Sequence, residues 1–235
     1  MPELLVDMGN TRLKLGWLAD ELEVLGAVDR AGDIVGLLPG TPQRIWVSSV
    51  AEAHRAASLL DELARLDGEL VQVEVARFQG QLPTRYDMHQ LGVDRWLAAL
   101  AGYTRARGSC VVVDAGTATT VDLVDHTGTH IGGYILPGEE LMLKAIQDAT
   151  AIDISGAEVG CRDTPPRATA QAMRCGSRAA QAALVDRARE SLGPDCTVFL
   201  GGGNMQALVP FLKGEHQPVQ QLVLEGLACL ARRIA

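Results

Sequence analysis

The amino-acid sequence predicts an α/β fold made of two similar halves. An Asp-x-Gly segment followed closely by threonine occurs twice, first at Asp7 and again at Asp114, 107 positions later. Each copy follows a short apolar run and precedes alternating apolar residues, a pattern that predicts strand, tight loop and second strand. Helical spacing of apolar residues also occurs in both parts of the chain. These observations indicate a duplicated, layered α/β fold, which we divide into residues 1–105 and 106–235.

In the first half, strands are predicted at 4–6, 13–17, 24–28, 45–50 and 70–75. Between residues 51 and 66, apolar residues recur every three or four positions, which predicts a helix. A polar stretch at 80–89 is typical of a loop. A further helix is predicted to begin at Asp94, with Trp96 and Leu97 on its apolar side.

The second half repeats the order of strand, loop and strand before its helices. Strands are predicted at 111–113, 121–123, 131–135 and 198–200, and helices at 138–150, 167–192 and 219–234. Between the second and third of these strands, residues 125–128 have the composition of a turn.

Composition narrows the classes of function. The chain has 235 residues, of which 47% are hydrophobic, so it can bury a full core without disulfides or a structural metal. Acidic residues exceed basic ones by 29 to 21, and aromatic residues make up only 4%. Because nucleic-acid binding relies on basic surfaces and aromatic stacking, we expect no nucleic-acid partner.

The sequence also predicts a cytoplasmic protein. Its five cysteines show no CxxC pair and no zinc-type spacing, which fits a reducing compartment. Glu3 and Asp7 interrupt the apolar stretch near the N-terminus, so no signal peptide is expected. No run approaches about 18 uncharged apolar residues, and no membrane partner is expected.

The repeated Asp-x-Gly loop has the chemistry of a phosphate site. Glycine permits a tight turn and lets backbone N–H groups approach a phosphate without an intervening Cβ. The aspartate can hold a hydrated Mg²⁺ or a water bound to it. Two such loops facing each other would clamp a polyphosphate. The alternative is that both are ordinary hairpin turns, in which Asp and Gly fill their usual positions.

Several common nucleotide-binding and catalytic motifs are absent from the sequence. No Gly is followed directly by Lys, so there is no GxxxxGK[ST] motif, and the glycines at 201–203 lack the spacing of GxGxxG. Neither HExxH nor GxSxG occurs. These absences disfavour a P-loop NTPase, a Rossmann dehydrogenase, a zinc protease and an α/β-hydrolase.

Residues 92–95 join the polar loop to the start of a helix. Asp94 is a candidate general base that accepts a proton from a substrate hydroxyl. Arg95 is a candidate partner for a substrate carboxylate, through a bidentate pair. In the alternative interpretation, Asp94 caps the helix and Arg95 is a surface residue.

Two glycine-rich segments are further candidates for ligand contact. Residues 132–138 lead into a helix whose N-terminus could face an anion, although a simple hairpin exit explains them as well. Residues 201–204 end a strand and could lie against a nucleotide base or ribose. A flexible turn between strand and helix is the alternative for this second segment.

Four of these segments together resemble the type III pantothenate kinases. Asp7–Thr11, Gly92–Arg95, Asp114–Ala118 and Gly132–Gly138 occur in the order and spacing of that family. The resemblance covers essentially the whole chain. It implies an actin-like fold of the sugar-kinase and Hsp70 type, with a cleft between two similar α/β halves. It also implies ATP-dependent phosphorylation of the 4′-hydroxyl of pantothenate, the first step of coenzyme A synthesis.

The resemblance further implies roles for individual residues. The ATP phosphates would lie along Asp7, Met8, Gly9, Asn10, Thr11, Arg12, Leu13 and Lys14, and Thr117 would also contact ATP. Pantothenate would be contacted by Tyr86, Gly92, Val93, Asp94, Arg95 and Thr164. Asp94 would be the general base, and Asp114 would bind a monovalent cation, K⁺ or NH₄⁺, in addition to the Mg²⁺ that accompanies ATP. Because members of the family are homodimers, a homodimer is expected.

Three other functions stay open on the sequence. The chain could be a kinase of another small hydroxyl compound, a non-catalytic regulator like the members described as transcription accessory factors, or an ATP-driven switch of the Hsp70 or actin type. The segment 92–95 argues against the first, and the presence of Asp94 argues against the second. The chain is too short to hold the added subdomains of the third.

Overall fold

The computed structural model describes residues 2–9, 12–152 and 164–234. The chain forms two compact units. The first comprises Met1–Arg105 together with Gln221–Ala235, and the second comprises Ala106–Gln220. Each unit is built on a five-stranded sheet, as a duplicated α/β fold requires.

The strands, in chain order, are β1 (Glu3–Met8), β2 (Leu13–Leu18), β3 (Leu22–Val28), β4 (Arg44–Ser49), β5 (Glu69–Gln72), β6 (Cys110–Ala115), β7 (Ala118–Val124), β8 (His130–Pro137), β9 (Thr197–Gly201) and β10 (Gln217–Pro218). The helices are α1 (Ala53–Leu63), α2 (Val75–Phe78), α3 (Val93–Ala106), α4 (Glu139–Ala149), α5 (Thr169–Leu192), α6 (Met205–Leu208) and α7 (Leu222–Ile234). Short 3₁₀ turns lie at Ala31–Asp33, Val35–Leu37, Gln79–Gln81 and Val209–Phe211.

All the predicted strands and long helices are confirmed, with ends that differ by a few residues. The elements that the sequence did not reveal are α2, α6, β10 and the 3₁₀ turns. Each of them has four residues or fewer, which is too short to show a period of hydrophobicity.

The first sheet has the strand order β3-β2-β1-β4-β5. β1 pairs antiparallel with β2 and parallel with β4, and β4 pairs parallel with β5. The pairing places Asp7 of β1 opposite Lys14 on one side and opposite Ser48 of β4 on the other. These three residues therefore form a row across the sheet, where the parallel strands β1 and β4 end.

The two faces of the first sheet are covered by different helices. One face packs against α1 in an apolar cluster that includes Leu4, Val6, Ile45, Val47, Leu59 and Leu63. Because side chains alternate along a strand, Leu5, Asp7, Trp46 and Ser48 belong to the opposite face. On that face Gly16, the partner of Leu5, lies against Leu224 of α7.

The C-terminal helix α7 belongs to the first unit, whereas the division made on the sequence placed it with residues 106–235. It packs on β1, β2 and β4, and its leucines Leu224, Leu227 and Leu230 are fully buried. A Cβ at Gly226 would collide with the carbonyl oxygen of Leu97 in α3, so the two helices are in close contact. The helical period was visible in the sequence, but a period does not say which sheet a helix covers.

The second sheet has the order β10-β9-β6-β7-β8, which is the order of the first sheet with corresponding strands in corresponding places. β6 pairs antiparallel with β7 and parallel with β9, as β1 does with β2 and β4. The duplication predicted from the two Asp-x-Gly segments is therefore present in the strand topology.

The core of the second unit lies between its sheet and α5. The buried cluster includes Val111, Val113, Val121, Val185, Val198 and Leu200. Asp114 follows these valines at the end of β6, where it is exposed. α5 has 24 residues. None of the helices in the described part of the chain is both long and apolar enough to cross a membrane.

Candidate active site

The first Asp-x-Gly loop connects β1 to β2. Asp7 is only 6% exposed, and the loop after it is closed by a hydrogen bond of 3.2 Å from the Gly9 N–H to the Arg12 carbonyl oxygen. Lys14, opposite Asp7, is exposed. A buried carboxylate and an exposed ammonium group thus lie side by side at the ends of two adjacent strands.

The other residues predicted along this loop have different surroundings. Met8 and Leu13 belong to the apolar core, so their backbone atoms, and not their side chains, are what a ligand at the loop would meet. Arg12 is exposed and forms an ion pair of 3.2 Å with Asp29. Asn10 and Thr11 lie outside the described residues.

Gly92 immediately precedes α3, and residues 93–95 lie in the first turn of that helix. The Asp94 Oδ1 atom accepts a hydrogen bond of 2.8 Å from the Arg95 N–H, and the Trp96 N–H donates to the Gly92 carbonyl oxygen at 3.1 Å. A Cβ at Gly92 would lie 2.6 Å from the Asp94 Oδ1 atom. Glycine at position 92 therefore leaves the space in which the half-buried Asp94 carboxylate is held.

Arg95 is not the surface residue of the alternative interpretation, because it is only 7% exposed. Its guanidinium carbon lies 5.4 Å from the centre of the Tyr86 ring, a cation–π contact. The structure thus brings together Tyr86, Asp94 and Arg95, three of the residues implied to contact pantothenate. A planar, buried guanidinium beside a half-buried carboxylate can bind an anionic group next to a group that accepts a proton.

The polar loop before α3 is fixed to that helix. The Trp96 Nε1–H donates to the Leu82 carbonyl oxygen at 2.9 Å. Within the loop, the Tyr86 N–H donates to Thr84 Oγ1 at 3.0 Å, and Asp87 Oδ1 accepts from the His89 N–H at 3.0 Å. These contacts hold the backbone that carries Tyr86.

The second Asp-x-Gly loop connects β6 to β7 and is surrounded by two other glycine segments. The Gly138 N–H donates to the Thr117 carbonyl oxygen at 2.9 Å, and a Cβ at Gly138 would collide with the Gly116 and Thr117 carbonyl oxygens. Gly202 has φ +92°, and a Cβ there would collide with the Ala115 backbone. The structure therefore gathers the predicted segments 114–119, 132–138 and 201–204 around one short stretch of backbone.

The side chains of this second loop differ in exposure. Asp114 and Thr117 are exposed, as a ligand contact requires. Thr119 is buried, and its hydroxyl donates to Gln181 Oε1 of α5 at 2.5 Å, a contact that anchors the loop to the helix. Thr164, the remaining predicted substrate residue, is exposed at the beginning of the described segment that leads into α5.

Two buried cysteines of the second unit, Cys110 and Cys196, are poor nucleophiles because burial disfavours their thiolate forms. Burial raises the pKa of the Cys110 thiol to about 12, and the neighbouring Cys196 adds to that shift. Burial also raises the pKa of Cys196. Both thiols are therefore protonated at neutral pH and unreactive.

The described residues offer a magnesium ion single carboxylates and no preformed cluster. Among the described residues, no group of three or more His, Cys, Asp or Glu side chains could hold a metal ion. Mg²⁺ in phosphoryl-transfer sites keeps several waters and is bound by one or two carboxylates and the substrate phosphates. A single carboxylate at a strand end, such as Asp7, fits that requirement.

Sequence reasoning missed Ser48, which lies beside Asp7 at the end of β4. It is fully buried, with 0% exposure. The one feature of the sequence that could have suggested Ser48 as a site residue was its position at the end of a predicted strand. The pairing of that strand with β1 was not visible in the sequence.

Two sheets of identical strand order, each with an Asp-x-Gly loop at the end of its central strand, define a duplicated α/β protein of the actin-like class, which includes sugar kinases. Within that class the chain belongs to the type III pantothenate kinase family, whose family model matches residues 3–191. A relative named type III pantothenate kinase from Aromatoleum aromaticum is 37% identical over 243 residues, covering 99% of this chain and 98% of the relative.

Solved structures agree with this fold. A protein of Campylobacter jejuni described as a Baf family transcriptional activator superposes with a TM-score of 0.65 at 22% identity, covering 98% of each chain. The activator of 2-hydroxyisocaproyl-CoA dehydratase from Clostridium difficile, solved with bound ADPNP, gives a TM-score of 0.53 at 13% identity, covering 100% of this chain and 95% of that one. At these identities the likeness concerns the fold alone, and the predicted actin-like class is confirmed.

Proposed function

We propose that this protein transfers the γ-phosphoryl group of ATP to the 4′-hydroxyl of pantothenate, with Asp94 as the general base. Membership of the type III pantothenate kinase family supports the reaction. The observation that carries the assignment of the base is the first turn of α3, where Gly92 leaves space for the Asp94 carboxylate and the Arg95 N–H holds one of its oxygens.

In this mechanism, Arg95 and Tyr86 bind and orient the acceptor. Pantothenate carries a carboxylate, which a buried guanidinium can bind through two parallel hydrogen bonds. Gly92 and Val93 would contribute backbone contacts in the same turn. The Asp94 carboxylate, one oxygen of which accepts from the Arg95 N–H, receives the proton of the 4′-hydroxyl as the hydroxyl oxygen attacks the γ-phosphorus. Thr164 is proposed as a further contact to pantothenate.

The phosphates of ATP are proposed to lie along the loop from Asp7 to Lys14. The Gly9 backbone permits close approach, and Lys14 supplies positive charge. Asp7 would hold Mg²⁺ or one of its waters, and Thr117 would contact ATP. Bound Mg²⁺ neutralises charge on the phosphates during transfer.

A monovalent cation, K⁺ or NH₄⁺, is proposed to bind at Asp114. The support is the position of this exposed carboxylate beside the backbone turn of residues 116–118, where the Thr117 and Ala118 carbonyl oxygens accept hydrogen bonds from the Gly138 and Gly116 N–H groups. Such ions take oxygen ligands of this kind. We also propose that the reaction takes place in the cytoplasm. The support is the absence of a CxxC pair in the sequence and the three free cysteines among the described residues, Cys110, Cys196 and Cys229, whereas Cys175 is disulfide-bonded.

A homodimer is proposed to form through the second unit. Several large apolar side chains are exposed on and near β8 and α4, namely Tyr134, Ile135, Leu141 and Ile146. β8 is an edge strand, and edge strands with exposed apolar residues are sites of association. Analytical ultracentrifugation should give twice the chain mass, and Ile135→Glu should reduce it to the monomer.

The activity is tested by ADP release from Mg·ATP with pantothenate, first in K⁺ and then in Na⁺ buffer. We expect turnover that requires pantothenate and is faster in K⁺. Asp94→Asn should lower kcat at least about 100-fold, the lower range for loss of a general base. Asp61→Asn, an exposed carboxylate of α1, is the matched control and should leave kcat unchanged.

Two results would contradict these assignments. Turnover by Asp94→Asn at the wild-type rate would remove Asp94 as the base while leaving the reaction in place. Folded wild-type protein that binds ATP but gives no ADP with pantothenate would overturn the substrate, and would favour another small hydroxyl compound or a regulatory role.

A further inference from the structure

Ser48 has an unusual environment for a serine. It is the fifth residue of β4, it is 0% exposed, and its Oγ atom has no hydrogen-bond partner within the described part of the chain. Buried side-chain hydroxyls in native proteins nearly always have a partner. An exception of this kind calls for an explanation other than stability, since the unpaired hydroxyl costs folding free energy.

The sheet places this hydroxyl beside Asp7. The parallel pairing of β1 and β4 puts Ser48 opposite Asp7, and paired residues of neighbouring strands lie about 4.8 Å apart. Both side chains belong to the face away from the α1 cluster, because that cluster contains Val6 and Val47, the residues that precede them. A rotation about χ1 is enough to bring a serine hydroxyl within reach of a carboxylate at this separation.

The adjacent residue Ser49 has different contacts. Its hydroxyl lies 3.5 Å from the Met8 sulfur and accepts a hydrogen bond of 3.4 Å from the Ala51 N–H. Ser49 therefore has local partners, on the side of the sheet that carries the core cluster. Of these two hydroxyls at the same strand end, Ser48 is the one beside the candidate ligand site.

We propose that Ser48 is a positioning residue that acts through Asp7. When Asp7 binds the magnesium complex of ATP, the Ser48 hydroxyl donates to the carboxylate oxygen directed toward β4 and fixes the direction of the other oxygen. The Ser48 hydroxyl has no partner among the described residues of the free protein and gains one in the complex. No existing hydrogen bond is lost in exchange, so the whole free energy of the new hydrogen bond adds to nucleotide binding. This inference rests on the proposed role of the Asp7 loop in binding ATP.

The test compares Ser48→Ala with Ser49→Ala in the full-length protein. Binding of the magnesium complex of the non-hydrolysable analogue AMP-PNP is measured by calorimetry, and steady-state kinetics are measured beside it. We expect Ser48→Ala to weaken analogue binding about tenfold, the effect of one hydrogen bond to a charged group. The KM for pantothenate should not change, and Ser49→Ala should bind the analogue within about twofold of wild type.

The thermal stability of the Ser48→Ala variant distinguishes a positioning role of Ser48 from a structural one. Removing an unpaired buried hydroxyl is neutral or stabilising, so the melting temperature of Ser48→Ala should equal or exceed that of wild type. Ser48→Thr keeps the hydroxyl on a residue that suits strands, and it should restore analogue binding to within about threefold of wild type. If the threonine variant does not fold, the two alanine variants decide the question.

The failure of this inference is distinct from failure of the proposed function. Wild-type protein that does not bind Mg·AMP-PNP would overturn the role of the Asp7 loop itself. Wild-type binding that is matched by Ser48→Ala would leave that role intact and overturn the role of Ser48. A Ser48→Ala variant with a lower melting temperature and an equal loss of affinity for analogue and pantothenate would make Ser48 a structural residue.

Discussion

The two Asp-x-Gly loops occupy the same place in two sheets of identical strand order, yet they are built differently. Each loop is closed by its own hydrogen bond, from the Gly9 N–H to the Arg12 carbonyl oxygen in the first and from the Gly116 N–H to the Ala118 carbonyl oxygen in the second. Among the described residues, a Cβ at Gly9 would meet the Arg12 carbonyl oxygen at 3.6 Å, an ordinary contact. The second is enclosed by glycines from distant segments, Gly138 and Gly202, which touch its backbone.

The aspartates differ in a corresponding way. Asp7 is nearly buried, beside Lys14 and Ser48, whereas Asp114 is exposed. Duplication thus preserved the backbone and left the surroundings of each carboxylate to diverge. A shared motif predicts a shared loop, but the neighbours decide which ligand each copy suits.

The largest expected effect concerns the packing around the second loop. Gly202→Ala places a Cβ against the Ala115 backbone at φ +92°, so both collision and a left-handed backbone oppose it. We expect a loss of about 3–5 kcal/mol in the free energy of unfolding. Chemical denaturation followed by circular dichroism measures this loss.

The neighbouring residue and the first loop supply the controls. Within the described part of the chain, a Cβ at Gly203 would have no atom within 4 Å, so Gly203→Ala should change stability by no more than about 0.5 kcal/mol. Gly9→Ala should cost no more than about 1 kcal/mol, because the contact that a Cβ would make with the described residues is an ordinary one. Equal losses for Gly9→Ala and Gly202→Ala would show that the two loops are not packed differently.

The next effect concerns Gly92. An added methyl group at this position would press on the Asp94 side chain, so we expect it to lower the catalytic rate more than the stability of the protein. Gly92→Ala puts a Cβ 2.6 Å from Asp94 Oδ1, which displaces the side chain and not the backbone. A displacement of about 1 Å at a catalytic group can lower kcat about 100-fold. We expect that loss in the ADP-release assay, with the melting temperature nearly unchanged.

Gly80→Ala is the matched variant for this experiment, since a Cβ at Gly80 would have no atom of a described residue within 4 Å. It should keep wild-type kcat. Wild-type turnover by Gly92→Ala would mean that the position of Asp94 is not set by the space at residue 92.

Much of this architecture was predictable because it depends on local sequence periods. The valines at 111–113 and the alternation around Leu13 and Leu15 gave strands at their observed places. The Asp-x-Gly repeat gave the duplication. The sheet on which α7 packs was not predictable. The spacing of leucines such as Leu224 and Leu227, which are buried in the structure, indicates that the helix has an apolar face but not which sheet that face covers.

The sequence suggested candidate site residues but not the contacts among them. The stacking of Arg95 on Tyr86 joins a loop residue to a helix residue, and the pairing of Ser48 with Asp7 depends on the register of two strands. Neither is a property of a sequence window. The convergence of Gly138 and Gly202 on the second loop likewise required the fold, although each glycine segment was visible as a candidate.

A smaller effect is expected when each aspartate is replaced in turn and the binding of nucleotide and of K⁺ is measured separately. Asp114→Asn should raise the K⁺ concentration needed for half-maximal turnover about tenfold, because one charged oxygen contact to the ion is lost. Its affinity for Mg·AMP-PNP should stay close to wild type. Asp7→Asn should instead weaken the binding of Mg·AMP-PNP and leave the K⁺ dependence of turnover close to wild type. Calorimetry with the analogue and K⁺ titration of the rate distinguish the two variants.

Opposite effects of Asp7→Asn and Asp114→Asn would be informative because the two aspartates occupy the same position of the same motif. If Asp7→Asn and Asp114→Asn impaired nucleotide binding and K⁺ dependence equally, the difference in burial between the two carboxylates would have no functional meaning. The proposed cation site at Asp114 would then be wrong.

The smallest effect concerns the hairpin turn that follows each loop, between β2 and β3 in one sheet and between β7 and β8 in the other. Asp125 Oδ1 in the second turn accepts from the N–H groups of Thr127 at 2.9 Å and Thr129 at 3.0 Å, and from the Thr127 hydroxyl at 2.6 Å. Partial burial opposes the charge, but these hydrogen bonds outweigh it and lower the pKa of Asp125 below its ordinary value of 3.8.

The direction of that shift fixes the pH dependence. Because the pKa is lower in the folded state, the stabilisation is fully present above the unfolded pKa and is lost as the pH falls through the folded pKa. Asp125→Asn should therefore cost at most about 1 kcal/mol at pH 7, given the solvent screening of an exposed turn. The difference from wild type should shrink below pH 3.8 in urea unfolding experiments. A difference that grew on acidification would mean that the charged carboxylate does not stabilise this turn.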